Sequence, residues 1–303
     1  MTAPSPRIGI IVTDAYPIED PDHDTPLLLE SLRARGATAE PVVWHSDAAD
    51  LTDFDLLVLR SPWDYPQRPD EFLMWLDRAE QATRVANEPA TMRWNLDKFY
   101  LADLEHAGVA VVPTRYCRSR ADAEAAIRAH RRVVVKPTVS AGAKNTGLFD
   151  ATDPRALALA ELIIDGGGVA MVQPEIPELS AGAEKALYAI DGHFTHAIAK
   201  GALLDLGGTL IGGVYMENPR RVDATASERL FVEDVLRAVA EVTGDEMPLY
   251  ARVDTVDSAE YGLVLLEVEL VEPALNLHVA TDAIDVVADA ILRAAGREAL
   301  SAG

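Results

Sequence analysis

The chain has 303 residues, 49% of them hydrophobic and 25% charged, with a formal net charge of −22 and a pI near 4.6. This length allows two or three packed units around a large core, and the negative charge argues against general affinity for nucleic acid or an anionic membrane. The single cysteine, Cys117, excludes an intrachain disulfide, and neither a signal peptide nor a spanning stretch is predicted, so we expect a cytoplasmic protein.

The first ninety residues alternate apolar runs with amphipathic helical patterns, which favours an open sheet built from β-α-β units. The predicted strands are "RIGIIV", "AEPVVW", "FDLLVLR" and "RVANEP". The predicted helices are "DTPLLLESLRARG", which closes on Gly36, and "RPDEFLMWLDRAEQAT", for which Asp70 is a possible N-terminal cap. This part of the chain is predicted to form an α/β domain over residues 1–90.

Two further units, 91–178 and 179–303, are predicted to follow. The elements expected in the second unit are the helix "TMRWNLDKFYLADLEHAG", the strand "VAVVP", the helix "ADAEAAIRAH", the strand "RRVVVKP", a small-residue loop, the helix "PRALALAELIID" and the strand "GVAMVQP". Those expected in the third are the hairpin "KALYAIDGHFTHAIAK", a loop with five glycines, a helix near 226–243, the strands "PLYARVDTV" and "GLVLLEVELVEP", and the helix "TDAIDVVADAILRAAG". The Asp191-Gly192 pair predicts the hairpin turn.

The segment "VVVKPTVSAGAKNTG" ends an apolar strand on Lys136 and continues as a run of small residues. Backbone N–H groups of such a loop can reach an anion, and a neighbouring lysine supplies positive charge. The segment is not a Walker-type phosphate loop, because Leu148 and Phe149 follow the glycines where Lys and Ser/Thr would be required. Lys200 leads into the glycine-rich loop, a plausible lid, where it could meet a terminal phosphate.

Charged side chains share strand faces near the C-terminus. Alternation places Glu267 with Glu269 and Arg252 with Asp254, and the turn "DSAEYG" predicts that the two strands pair as a hairpin. Carboxylates in such apolar strands are costly unless they are neutralised, and Mg²⁺ prefers oxygen ligands. The alternative is a solvated sheet face that carries an Arg–Glu ion pair.

The turn "RSPWDY" follows a predicted strand at the end where open α/β sheets bind ligands. Arg60 and Asp64 would offer opposite charges to the carboxylate and the ammonium group of a small zwitterionic substrate, beside Ser61. Trp63 and Tyr65 would wall the pocket. The alternative is a structural turn in which Trp63 belongs to the core.

Taken in order, these motifs resemble the ATP-grasp superfamily of carboxylate–amine ligases over nearly the whole chain. The resemblance implies an ATP-grasp fold in which an open α/β domain precedes two α+β subdomains that clasp the nucleotide. The residues that it implies for ATP binding are Lys98 and Lys136 at the phosphates, Ser140 and Gly142 in the covering loop, Gln173, Pro174, Glu175 and Ile176 in the adenine-contacting hinge, and Glu184 at the ribose.

The same resemblance implies the chemistry of the third unit. Asp254, Glu267 and Glu269 would hold one or two Mg²⁺ ions, for which Mn²⁺ could substitute, and Glu269 replaces the asparagine that is usual in the superfamily. Arg252 would stabilise the oxyanion of the tetrahedral intermediate and Lys200 would hold a phosphate. The predicted activity is an ATP-dependent ligase that forms a C–N bond through an acyl phosphate and releases ADP and phosphate.

A narrower resemblance points to an actinobacterial branch of the superfamily that includes the ligase forming D-cycloserine. It depends on "RSPWDY", "RWNLDK", "AGAKNT", "LYARVD" and "ELVEPAL". It implies intramolecular closure of O-ureido-D-serine in antibiotic biosynthesis, with a small amino-acid-like substrate and a homo-oligomer as a further option. The alternatives are a ligase that joins two separate substrates, such as a peptide and an amino acid, and a nucleotide-binding module without turnover.

Overall fold

A computed structural model describes residues 5–16, 21–140, 144–202, 204–207, 209–210 and 218–296, the pair 209–210 for its backbone alone. Gly142, predicted to lie in the loop that covers the phosphates, and residues 203, 208 and 211–213 of the predicted lid lie outside the described residues. Among the described residues, no helix combines the length and the apolar character needed to cross a bilayer. The fold is of the predicted α/β class and contains three larger sheets with helices packed against them.

The first sheet is parallel and has the strand order β2-β1-β3-β4. Its strands are β1 (Arg7–Val12), β2 (Thr38–Val43), β3 (Leu56–Ser61) and β4 (Val85–Ala86), and its helices are α1 (Asp24–Ala34) and α2 (Pro69–Ala82). The predicted cap of α2 is wrong: Arg68 occupies the N-cap position without a side-chain cap, and Asp70 lies in the first turn. Pro69 starts the helix because the first helical position needs no N–H.

The second sheet is antiparallel and has the order β5-β8-β6-β7. It consists of β5 (Arg115–Cys117), β6 (Arg132–Pro137), β7 (Gly147–Asp150) and β8 (Ala170–Pro174), with α5 (Arg120–Arg128) and α6 (Pro154–Asp165) packed against it. The predicted strand "VAVVP" forms only an isolated bridge, between Val111 and Leu265. It therefore runs beside the third sheet instead of joining the second.

The long helix predicted at the start of the second unit is split in two. The structure has α3 (Pro89–Asn95) and α4 (Tyr100–His106) instead. Asp97 interrupts the helix because its carboxylate accepts the backbone N–H of Phe99 at 3.0 Å, while the N–H of Lys98 donates to Thr138 O at 2.8 Å. A side chain that bonds its own backbone in this way competes with the helical pattern.

The third sheet is antiparallel, with the order β13-β10-β9-β14-β15. Its strands are β9 (Lys185–Ile190), β10 (His193–Ala199), β13 (Arg220–Val222), β14 (Tyr250–Ser258) and β15 (Gly262–Glu269). Between β10 and β13, β11 (Leu204–Asp205) pairs with β12 (Thr209–Leu210) in a separate two-stranded sheet. The helices of this part of the chain are α7 (Pro177–Ser180), α8 (Ala226–Thr243) and α9 (Ala283–Ala295). The predicted β9–β10 turn is confirmed, since Asp191 and Gly192 both have positive φ, at 51° and 75°.

The C-terminal helix packs back onto the beginning of the chain. Val287 and Ile291 of α9 share a buried cluster with Ile8 of β1, Leu28 of α1 and Tyr188 of β9. The first and third sheets are therefore held by one apolar core. The domain boundaries 1–90, 91–178 and 179–303 stay a prediction.

Candidate active site

A cavity of about 250 Å³ lies where the second and third sheets face each other, beside the turn that follows β3. The predicted residues on its wall are Tyr65, Lys98, Lys136, Ser140, Gln173, Pro174, Glu175, Ile176, Glu184, Lys200, Arg252, Asp254, Glu267 and Glu269. Residues separated by up to two hundred positions thus converge on one enclosed space. We call it the active-site cavity.

The carboxylates predicted to share a face are adjacent across β14 and β15. The register pairs Arg252 with Glu269 and Asp254 with Glu267, as the alternation in the sequence requires. Arg252 Nη2 donates to Asp254 Oδ2 at 2.9 Å and to Glu269 Oε1 at 2.5 Å. Lys200 Nζ donates to Asp254 Oδ2 at 2.9 Å, so two cations meet at one buried aspartate.

The charges of these groups decide which carboxylates stay ionised. Burial alone would raise the pKa of Asp254, but Arg252 and Lys200 outweigh it and hold that pKa below its ordinary value. Glu267 behaves similarly: burial opposes ionisation, yet the nearby lysines lower its pKa. Glu269 differs, because burial raises its pKa to about 8 although Arg252 acts in the opposite direction. Asp254 and Glu267 are therefore favoured as anions, whereas burial disfavours the charged form of Glu269.

The three predicted metal ligands do not form a complete coordination site as they stand in the described residues. Within the described ranges, no three His, Cys, Asp or Glu side chains stand close enough together to hold a metal ion. The donor chemistry nevertheless fits magnesium, since all three groups are carboxylates on one strand pair and Glu269 is disfavoured as an anion where it stands. Metal binding would require Asp254 to exchange a lysine or arginine contact for the ion.

Of the three predicted phosphate-binding lysines, Lys98 and Lys200 contact carboxylates and, over the described ranges, Lys136 does not. Lys98 Nζ donates to the carbonyl oxygen of Ser140 at 2.8 Å and lies 3.0 Å from Glu267 Oε1. Lys200 lies 3.2 Å from Glu184 Oε1 in addition to its contact with Asp254. No ion pair within 4.0 Å involves Lys136 in the part of the chain that is described, and burial lowers its pKa. Among the described residues Lys136 therefore has no carboxylate within 4.0 Å, and a bound anion would stabilise its charged form.

The predicted hinge lies at the end of β8, on the cavity wall. Gln173 Nε2 donates to Thr114 Oγ1 at 2.8 Å, and Arg132 Nη1 lies 3.2 Å from Glu175 Oε1. The two polar side chains are therefore held by the protein. This leaves backbone groups and apolar surface, including Ile176, to face a planar ligand.

The turn at 60–65 reaches the cavity only through Tyr65. Arg60 is buried and donates to Pro273 O, Ser61 Oγ lies 2.6 Å from Tyr16 OH, and Trp63 Nε1 donates to Glu272 O at 3.1 Å. Asp64 accepts from Trp44 Nε1 at 2.7 Å and from Arg68. Neither Arg60 nor Asp64 lines the cavity, and within the described residues the Nε and Nη1 atoms of the buried Arg60 have no hydrogen-bond partner. Their contact with a substrate stays a prediction.

Sequence reasoning missed three residues. Glu272 also lines the cavity. It is separated from Glu267 and Glu269 by an odd number of positions, so the strand alternation that grouped those two did not predict it. Asn95 Nδ2 donates to Val268 O and its Oδ1 accepts from Leu270 N, both at 2.8 Å. Tyr100 OH bonds to both backbone groups of Val268. Asn95 and Tyr100 clamp the edge strand β15 and so fix its carboxylates; no local sequence signal indicates this.

Comparisons with known proteins agree with this arrangement. Residues 8–87 match the family model of the N-terminal domain of D-cycloserine synthetase DcsG. The chain is 36% identical over 282 residues to the cycloserine biosynthesis protein DcsG of Streptomyces lavendulae, covering 90% of this chain and 93% of that protein.

Comparison with solved structures leads to the same family and fold. The crystal structure of D-cycloserine synthetase DcsG superimposes with a TM-score of 0.87 and 31% identity, covering 95% of this chain and 99% of the other. The ATP-grasp ligase PsnB, in complex with a minimal precursor, Mg and ADP, has a TM-score of 0.62 and 17% identity, covering 96% and 98%. The latter likeness shows a shared fold, which is the ATP-grasp fold predicted from the motifs.

Proposed function

The chain belongs to the family of D-cycloserine synthetase DcsG, and from that premise we propose that it closes a ring in a small amino-acid-like substrate by forming a C–N bond. The general activity of which this ring closure would be one case is that of an ATP-dependent ligase. The observation that carries the proposal is the active-site cavity, where Lys136, Arg252 and paired carboxylates of β14 and β15 face one space. Positive charge for phosphate and oxygen donors for a metal ion are the two requirements of phosphoryl transfer.

The nucleotide would lie between the second and third sheets. Lys98, Lys136 and Lys200 would hold phosphate oxygens, Ser140 would contribute to the loop above them, and Glu184 would bind the ribose. The backbone of residues 173–176 would face the adenine. Magnesium, as one or two ions between Asp254, Glu267 and Glu269, would neutralise charge on the phosphates, and manganese would serve in its place. PsnB, which shares the fold, has been solved with Mg and ADP.

The reaction would proceed in two steps. A carboxylate oxygen of the substrate attacks the γ-phosphorus of ATP, ADP leaves, and an acyl phosphate forms. A nitrogen of the substrate then attacks the carbonyl carbon, loses its proton, and expels phosphate. Arg252, which donates to Asp254 and Glu269, would stabilise the oxyanion that develops during this attack.

The substrate we propose is O-ureido-D-serine, in which one molecule carries both the carboxylate and the attacking nitrogen. The family membership supports this choice. Intramolecular attack gains from proximity and needs no pocket for a second substrate. Closure followed by hydrolysis of the N-carbamoyl group, which consumes one water molecule and releases carbon dioxide and ammonia, gives D-cycloserine.

The experiment combines the protein with ATP, Mg²⁺ and O-ureido-D-serine. Mass spectrometry should detect the cyclic product together with ADP, hydroxylamine should trap the acyl phosphate as a hydroxamate, and ¹⁸O from the substrate carboxylate should appear in phosphate. Release of ADP that needs a separate amine would instead assign a ligase that joins two substrates. Binding of ATP with no ADP release from any amino acid derivative would assign a module without turnover.

A further inference from the structure

Glu272 contributes a carboxylate to the cavity wall, three residues beyond Glu269. The other carboxylates of the cavity have cationic partners: Glu267 pairs with Lys98 at 3.0 Å, and Glu269 pairs with Arg252 at 2.5 Å. No ion pair within 4.0 Å includes Glu272 in the ranges that the structure describes. Lys98 and Arg252 act on it only at longer range. A half-buried anion of this kind lacks a close positive charge.

Three side chains from the end of β3 and the turn after it lie near residues 272 and 273. The indole Nε1 of Trp63 donates to the carbonyl oxygen of Glu272 at 3.1 Å, and the buried guanidinium of Arg60 donates to the next carbonyl, that of Pro273. Tyr65 lines the same cavity, and its hydroxyl opposes the rise that burial causes in the pKa of the Glu272 carboxyl group. The backbone contacts fix where residue 272 stands, and Tyr65 lies beside its side chain.

A purely structural role does not account for the carboxylate. The two backbone contacts would hold residues 272 and 273 whatever side chain stood at position 272. Burial disfavours the charged form of the carboxyl group and raises its pKa to about 7. A carboxylate that lines the cavity, is disfavoured as an anion by burial and has no cation within 4.0 Å among the described residues is a candidate to meet a ligand of opposite charge.

The chemistry of the cavity restricts which ligand that is. Phosphates of ATP and an acyl phosphate are anions, and a carboxylate would repel them. Across β14 and β15, Asp254 pairs with Glu267 and Glu269 pairs with Arg252. Glu272, in contrast, follows the end of β15 and lies beside Tyr65. The cationic group that remains is the ammonium of an amino-acid-like substrate, a compact donor that suits a carboxylate.

We propose that Glu272 binds the protonated amino group of the substrate, and that Arg60, Trp63 and Tyr65 are positioning residues that hold Glu272 at the cavity wall. This inference rests on the proposed function, since it assumes an amino-acid-like substrate. It assigns the residues 60–65 an indirect role: they orient the anion that touches the substrate. The amino group would thereby be held beside the carboxyl group that is phosphorylated.

The test compares O-ureido-D-serine with its desamino analogue, 3-(ureidooxy)propanoate, on the wild type and on Glu272→Gln. Binding is measured by calorimetry in the presence of Mg²⁺ and a non-hydrolysable ATP analogue, and turnover by ADP release. A charge-assisted contact implies that the wild type binds the amino compound about 10- to 100-fold more tightly than the analogue. Glu272→Gln should bring this ratio close to one while leaving affinity for the ATP analogue unchanged.

Two results would overturn the inference. One is an equal ratio in wild type and variant, or no preference in the wild type, which would show that Glu272 does not meet the amino group. The other is a variant that keeps the ratio but needs more Mg²⁺, which would make Glu272 a metal ligand. Because the ratio comes from binding, it is decided even if no ADP is released, an outcome that would count against the proposed function instead.

Two further variants separate positioning from general damage. Tyr65→Phe removes only the hydroxyl and should reduce several-fold the preference in binding for the amino compound over the analogue while leaving affinity for the ATP analogue unchanged, a split that a structural role would not produce. Glu178→Gln is the matched control: Glu178 is half-buried, accepts the N–H of Ala259 at 3.1 Å, and does not line the cavity. Its ratio and its activity should equal those of the wild type.

Discussion

Replacing Lys136 by methionine should separate nucleotide affinity from folding stability. Lys136 faces the cavity, and in the described part of the chain it has no ion pair within 4.0 Å. A charge-assisted contact to phosphate contributes about 1.5–3 kcal/mol, so Lys136→Met should raise the dissociation constant of the Mg²⁺ complex of an ATP analogue roughly 10- to 150-fold. Lys98 and Lys200 cannot compensate, because they already pair with Glu267 and Asp254.

The stability of the same variant should not fall. Burial lowers the pKa of Lys136, so the folded protein disfavours its charge, and methionine removes that charge while keeping most of the side-chain volume. We therefore expect a thermal midpoint in the absence of nucleotide that is equal to or above that of the wild type. Calorimetric titration and a thermal scan measure the two quantities on one preparation.

Lys185→Met is the matched control. Lys185 Nζ lies 2.9 Å from Glu228 Oε1, and Glu228 completes the capping box at the start of α8. Its replacement should cost about 1 kcal/mol of stability and leave nucleotide affinity unchanged. Wild-type affinity in Lys136→Met would refute the assignment of this lysine to the phosphates, and so would an equal loss of affinity in both variants.

Three further predictions concern the metal, the edge strand and pH. Glu269→Gln should lower Mg²⁺-dependent turnover, with partial recovery in Mn²⁺; a metal titration that matches the wild type would make Glu269 a mere neighbour of Arg252. Asn95→Ala should cost about 1–3 kcal/mol, because it leaves Leu270 N unsatisfied and removes one of the two side-chain donors to Val268 O; denaturant unfolding within about 0.5 kcal/mol of the wild type would contradict the clamp. Burial lowers the pKa of His196 to about 4 from 6.5, so the unfolded chain takes up a proton that the folded protein refuses. His196 should therefore contribute a fall of about 3 kcal/mol in the free energy of unfolding as pH drops from about 6.5 to 4, measured as the difference between the wild type and His196→Gln; a difference that stays constant over this range would contradict it.

Local patterns in the sequence determined the strand faces of the site. The alternation in β14 and β15 predicted that Arg252, Asp254, Glu267 and Glu269 share one patch, and the register confirms it. The reason is geometric, since the period of two in a strand fixes the face of every side chain once pairing begins. The motif order likewise predicted the ATP-grasp fold, because the motifs lie at element ends whose order along the chain the fold requires.

Tertiary structure decided which side chains reach the cavity. The turn at 60–65 reads locally as a pair of opposite charges beside aromatic walls, yet Arg60 bonds to Pro273 and Trp63 to Glu272, more than two hundred residues away. The split between α3 and α4 follows similarly from the contact of Lys98 N with Thr138 O. A sequence pattern records the period of its own element, whereas these partners depend on how distant elements pack, and that packing determines which polar groups must find partners inside the protein and which stay free to meet a ligand.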